Sequence, residues 1–133
     1  MEPGLILETT FLIDFERERP AREGATLAFL ETHRFRKLFI THTIAGELAA
    51  GKTLAAKADW EAFLRPFRIL EWTPKIDWEY GKAFRYLQAQ GLLIGANDLW
   101  IAATALANDL PLVSANEAHF SQVPGLRVIP YRT

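Results

Sequence analysis

The chain has 133 residues, half of them hydrophobic and 23% charged, which is the balance of one globular domain and excludes a disordered tail. Fifteen Lys plus Arg against 16 Asp plus Glu leave a net charge of -1, which excludes a nucleic-acid binder that works by global positive charge. The absence of cysteine excludes disulfides, thiolate nucleophiles and Cys-ligated zinc, and His33, His42 and His119 lack the spacing of a His-rich metal site.

No basic segment followed by an apolar run opens the chain, and no stretch approaches bilayer length. The expectation is a single soluble, cytoplasmic domain over residues 1–133, with no membrane partner. Leu5-Ile6-Leu7 is wholly apolar and stops at Glu8-Thr9-Thr10, as a strand buried on both faces does. Thr9 or Thr10 then caps a helix through Phe11, Leu12 and Phe15 to Glu16-Arg17-Glu18-Arg19, closed by Pro20. A second helix is expected at about 21–33, a strand at 37–40, and a third helix begun by Thr41 or Thr43. Residues 53–65 are spaced as a helix that Pro66 stops, and 68–72 reads as a strand. Pro74 suits the first turn of a long helix reaching about Gln90 and ended by Gly91. Asn97-Asp98 opens a helix through Ile101, Ala102, Ala105 and Leu106. Strands at 112–113 and 127–129 flank a short turn or helix at 116–120. Five short strands alternating with helices, on connections long enough for parallel crossovers, give an α/β fold with an open sheet covered on both faces. No repeat or linker offers a domain boundary, and the strand order does not follow from the sequence.

Most acids sit among charges, as solvated helix faces require. Three do not. Glu8 leaves the carboxyl end of an apolar strand, where ligands gather in open α/β sheets. Asp98 precedes Ile101, Ala102, Ala105 and Leu106 at helical spacing, which places it on the core-facing stripe. Glu47, between Ile44 and Leu48, shares the inward side of its own helix. Each has an ordinary alternative: a distant arginine for Glu8, a helix dipole for Asp98, a boundary position for Glu47. An ionised carboxylate in such a place loses several kcal/mol of hydration. If the three converge without opposing bases, a divalent cation relieves their repulsion, and oxygen-only ligands favour Mg2+ or Mn2+. Thr10 and Asn116 are positioned to add neutral oxygens or orient waters.

Four segments in order carry a resemblance. Leu5-Ile6-Leu7-Glu8-Thr9-Thr10-Phe11-Leu12-Ile13-Asp14 resembles the opening of PIN-domain nucleases, where a strand ends in an acid followed by small hydroxyl residues. Thr41-His42-Thr43-Ile44-Ala45-Gly46-Glu47-Leu48 is similar to their second motif, and Asn97-Asp98-Leu99-Trp100-Ile101-Ala102-Ala103-Thr104-Ala105 to their third. Leu112-Val113-Ser114-Ala115-Asn116-Glu117-Ala118-His119-Phe120, followed by Val123-Pro124-Gly125-Leu126-Arg127-Val128, resembles the closing motif of VapC-type toxins. Residues 52–90 carry no matching motif.

The resemblance implies a three-layer α/β/α domain with a central parallel sheet. It implies a Mg2+-dependent (or Mn2+-dependent) endoribonuclease, the toxin of a toxin–antitoxin pair, usually dimeric and blocked by an antitoxin lying across its active-site groove. By it Glu8, Glu47 and Asp98 are acidic metal-site residues, Asn116 is a fourth and neutral member, and Thr10 is the hydroxyl beside the first acid. One position departs: the family pattern has aspartate where this chain has Glu8, which moves the carboxylate outward by about one carbon–carbon bond. A second reading follows from that departure, a PIN-like module that binds antitoxin or RNA without cleaving. Ala115 stands where the pattern has a basic residue. A nucleotide-binding α/β domain is disfavoured because no Gly-rich loop follows the first strand.

RNA approaching an acidic site needs flanking cations, for which Arg17, Arg19, the run His33-Arg34-Phe35-Arg36-Lys37, Lys52 and Arg132 are candidates. Trp60, Phe63 and Leu64, with Phe11 and Phe15, form either an apolar groove for an antitoxin helix or part of the core.

Overall fold

The computed structural model describes residues 4–132. Its elements are β1 (Leu5–Leu7), α1 (Thr9–Glu18), α2 (Ala25–Thr32), β2 (Leu38–Thr41), α3 (His42–Ala50), α4 (Lys57–Leu64), β3 (Arg68–Leu70), α5 (Pro74–Ala89), α6 (Ala96–Asn108), β4 (Leu112–Val113), α7 (Glu117–Phe120) and β5 (Val128–Ile129). The five strands form one parallel sheet in the order β3-β2-β1-β4-β5. Leu5 pairs with Leu38 on one side of β1, and Leu7 with Val113 on the other. The chain therefore winds from β1 outward to β3, then crosses back to begin β4 beside β1. That reversal opens a crevice at the carboxyl ends of β1 and β4.

All three residues of β1 are fully buried, as are Leu112 and Val113 of β4, so the centre of the sheet is apolar on both faces. Ile44 and Leu48 of α3, Leu99, Ile101, Ala102 and Ala105 of α6, and Phe11 and Leu12 of α1 complete the core. The small residues of α6 let it lie close to α5 and α3. Among the described residues, no helix is long and apolar enough to cross a membrane.

Three element boundaries differ from the sequence reading by two residues or more. α2 begins at Ala25, not near 21, because Arg22 and Gly24 take positive φ of 58° and 148° and turn the chain between α1 and α2. Glu18 is drawn into that turn and accepts hydrogen bonds from the Thr26 amide, the Thr26 hydroxyl and the Leu27 amide, satisfying the open end of α2. It is a cap, not a solvated surface acid. β3 is shorter than expected and stops at Leu70, and α4 starts at Lys57.

The apolar-groove reading is corrected. Phe11, Phe63 and Leu64 are buried in the core, while Phe15 and Trp60 pack against it and the indole N–H of Trp60 donates to the Ala45 carbonyl at 2.9 Å. Several of the expected cations are also committed elsewhere. Arg17 and Arg132 both reach the buried carboxylate of Asp14. Arg19 lies over the rings of Phe15 and Phe63, and His33 stacks on Phe29.

Candidate metal and nuclease site

The strand order puts Glu8, directly after β1, beside Ser114, directly after β4. Their side chains meet across the crevice: the Ser114 hydroxyl donates to Glu8 Oε1 at 2.6 Å, and the Thr10 hydroxyl donates to the same oxygen at 2.7 Å. Both hydroxyls are themselves held by the loop after β4, since the Ala115 amide donates to Thr10 Oγ1 and the Asn116 amide to Ser114 Oγ. Glu8 is 4% exposed and Ser114 fully buried, so these bonds stand in for the lost hydration of the carboxylate.

Glu47 lies on α3, which Thr41 starts by accepting the Ile44 amide on its side chain. The carboxylate of Glu47 receives the Thr9 hydroxyl at 2.6 Å and a longer contact from the Asn97 side-chain amide at 3.5 Å. It thereby links the start of α1 to the start of α6. Asp98, the next residue on α6, has its Oδ2 2.9 Å from Nε2 of His119 on α7. Asn116 is exposed at the N-cap of α7, and its side chain caps nothing there.

Two expectations change. Thr9 and Thr10 do not cap α1; its N-cap is Glu8, with no side-chain cap bond, and both hydroxyls turn to carboxylates instead. Asp98 and Glu47 are half-buried rather than core-facing, Asp98 retaining 31% of its side-chain exposure. Each lies at the border of its apolar stripe, where a carboxylate meets both protein and solvent. Three members of the site escaped the sequence reading: Ser114, Asn97 and His119. The small polar Ser114 directly after a buried strand was the available signal for the first, and adjacency to Asp98 for the second.

The structure thus brings Glu8, Thr10 and Ser114 into direct contact with one another, with the Asn116 amide on the Ser114 hydroxyl. Glu47 and Asp98 join them through neighbours, Thr9 beside Glu8 and Asn97 beside Asp98. Among the described residues, no Lys or Arg makes an ion pair with any of the three carboxylates, and no three His, Cys, Asp or Glu side chains stand close enough to hold an ion by themselves. The donor chemistry still suits Mg2+ or Mn2+, which keep several waters and bind through one or two carboxylates plus substrate phosphate. It does not suit zinc, for want of thiolates and paired imidazoles. A separate groove of about 480 Å³, lined by Ala28, Phe29, His33 and Tyr131, contains none of these acids.

A family model described as PIN domain matches residues 5–126. The chain is 32% identical over 92 residues to ribonuclease VapC2 of Rickettsia felis, a match covering 65% of this chain and 69% of that protein. It is 27% identical over 131 residues to ribonuclease VapC1 of Methanocaldococcus jannaschii, covering 96% of this chain and 88% of that one. In fold it is similar to VapBC from Salmonella typhimurium, solved bound to DNA, with TM-score 0.82, 22% identity and coverage of 99% and 100% of the two chains. It is likewise similar to VapBC2 from Rickettsia felis bound to a promoter DNA fragment, with TM-score 0.80, 24% identity and coverage of 96% and 98%. A five-stranded parallel sheet whose strand order reverses beside β1, and a family model matching nearly the whole chain, place this protein in the PIN-domain family.

Proposed function

We propose that this chain is an endoribonuclease toxin that hydrolyses RNA phosphodiester bonds with Mg2+ or Mn2+ held by Glu8, Glu47 and Asp98, partly through waters. The observation that carries this reading is Glu8 at the carboxyl end of the central strand β1, held by Ser114 and Thr10, with Glu47 and Asp98 on helices tied to the same segments through Thr9 and Asn97, and with hydroxyl, amide and imidazole partners in place of arginine or lysine. The ribonuclease names of its relatives support the same activity.

The divalent cation supplies electrostatic stabilisation of charge growing on the phosphoryl oxygens and makes water easier to deprotonate. The chain's own residues do the rest. Thr10 and Ser114 hold Glu8 by Oε1, so its other oxygen would be the one left for a cation. Thr9 and Asn97 orient Glu47, the carboxylate assigned to take the proton of the attacking water. The water oxygen bonds to phosphorus, the bond to the leaving ribose oxygen breaks, and that oxygen takes a proton from solvent. Asn116, exposed beside the Ser114 hydroxyl, offers an amide to the phosphate or its waters. The partners that fit this role are an RNA substrate, a cognate antitoxin and a second copy of the chain, in the cytoplasm.

Cleavage of a defined RNA with Mg2+, Mn2+ or EDTA tests the reading. Cleavage should require the ion, and Asp98→Asn should abolish it with the fold intact; an equally active Asp98→Asn enzyme would refute it. A non-cleaving, partner-binding module has one observation in its favour, the retraction of Glu8 to 4% exposure. Glu8→Asp decides between them. A strong gain of activity marks the natural protein as the weakened form, and equal activity marks glutamate as an adequate ligand.

A further inference from the structure

Asp98 opens α6 with its side chain 31% exposed, a position where a carboxylate is free to swing between water, the first-turn amides and the site. The N-cap of α6 is Gly95, which has no side chain to close the first turn. What holds it is His119, 21 residues on in sequence, with Nε2 at 2.9 Å from Oδ2. A carboxylate offers only acceptors, so Nε2 carries the hydrogen and donates. The imidazole stands on a rigid base. It meets the ring of Phe120 edge-on at 5.4 Å, Phe120 is fully buried in the core, and the Phe120 amide closes α7 onto the Asn116 carbonyl.

We propose that His119 is a positioning residue for Asp98, its Nε2–H holding Oδ2 so that Oδ1 is the oxygen presented to the divalent cation. The inference rests on the metal reading above and adds a member to it. Partners that orient a ligating carboxylate typically change metal affinity by about 10–100-fold when removed. A purely structural tie between α7 and α6 would instead change thermal stability and leave cation affinity alone. Glutamine, which can carry an N–H to a similar reach, should replace histidine in the positioning role; alanine cannot.

The test is titration of Mn2+ alone into the full chain, following binding by calorimetry, for the natural protein, His119→Ala, His119→Gln and Asp98→Asn, with the thermal midpoint of each. His119→Ala should weaken Mn2+ binding by about tenfold or more, and His119→Gln should recover most of that loss at a similar midpoint. His119→Phe, which keeps a ring without its nitrogens, takes the place of the alanine variant if the latter does not fold. A folded His119→Ala or His119→Phe protein that binds Mn2+ as tightly as the natural chain overturns the proposal, and so does a folded His119→Gln protein no better than it. If the natural chain binds no Mn2+ at millimolar concentration, or Asp98→Asn binds it undiminished, the metal reading itself falls and takes this inference with it.

Discussion

Asp14 shows what a carboxylate looks like when protein bases, not a cation, compensate its burial. It is 7% exposed on α1, accepts the Tyr131 hydroxyl at 2.6 Å, and is paired with Arg132 and Arg17. Burial alone raises its pKa, but the hydrogen bonds from Tyr131 and Arg132 and the two guanidinium charges outweigh that and hold it below the usual 3.8. Burial, with Asp14 alongside, pushes the Tyr131 hydroxyl well above its ordinary value, so it stays a donor. Because the folded-state pKa of Asp14 is lowered, its contribution to stability is present above the unfolded value and is lost as pH falls from about 4 through the folded value. Asp14→Asn should lower stability by about 1–3 kcal/mol at neutral pH and flatten the acid limb, as read by urea unfolding at a series of pH values. An unchanged acid limb would show that Asp14 carries no linkage. The contrast with Glu8 is one of partners: the same burial, but two neutral hydroxyls and no base.

At the scale of the element, the helices begin where hydroxyl and proline rules place them only if no tertiary partner competes. Thr41 and Thr73 both accept the amide three residues on, and Pro74 occupies the first turn of α5, as local chemistry requires. Thr41→Ala should therefore cost about 1 kcal/mol in denaturant unfolding, with the loss centred on α3, which carries Glu47; no loss would mean that water replaces the cap. Thr9 and Thr10 follow the same local rule in the sequence but not in the structure, because carboxylates of α3 and of Glu8 itself outbid the helix amides for their hydroxyls. The late start of α2 has a nearer cause, the turn at Arg22 and Gly24, whose following helix start is closed by Glu18. Local patterns made the existence and type of these elements legible, and contacts between distant segments decided the rest.

For the whole molecule, the site depends on the sheet order, since only the placement of β4 beside β1 brings Ser114 to Glu8. That order is set by which apolar strands pack centrally, and nothing in a single strand's sequence encodes its neighbour. The burial of Glu8 could be read from its apolar strand, while Glu47 and Asp98 lie at the border of their stripes, and Ser114, Asn97 and His119 became visible only through the fold. Leu7→Ala, in the fully buried central strand beside the crevice, should cost about 2–5 kcal/mol in global stability and loosen the site with it. A cost confined to a few tenths of a kcal/mol would show that the crevice does not share the stability of the core.

The central claim is that carboxylates from β1, α3 and α6 share one divalent cation. A crystal of the natural protein equilibrated with Mn2+ and measured for its anomalous signal tests it most directly. The account predicts a strong peak among Glu8, Glu47 and Asp98, with His119 still bonded to Asp98. Manganese bound elsewhere, with the three carboxylates left to their hydroxyl, amide and imidazole partners, would contradict it.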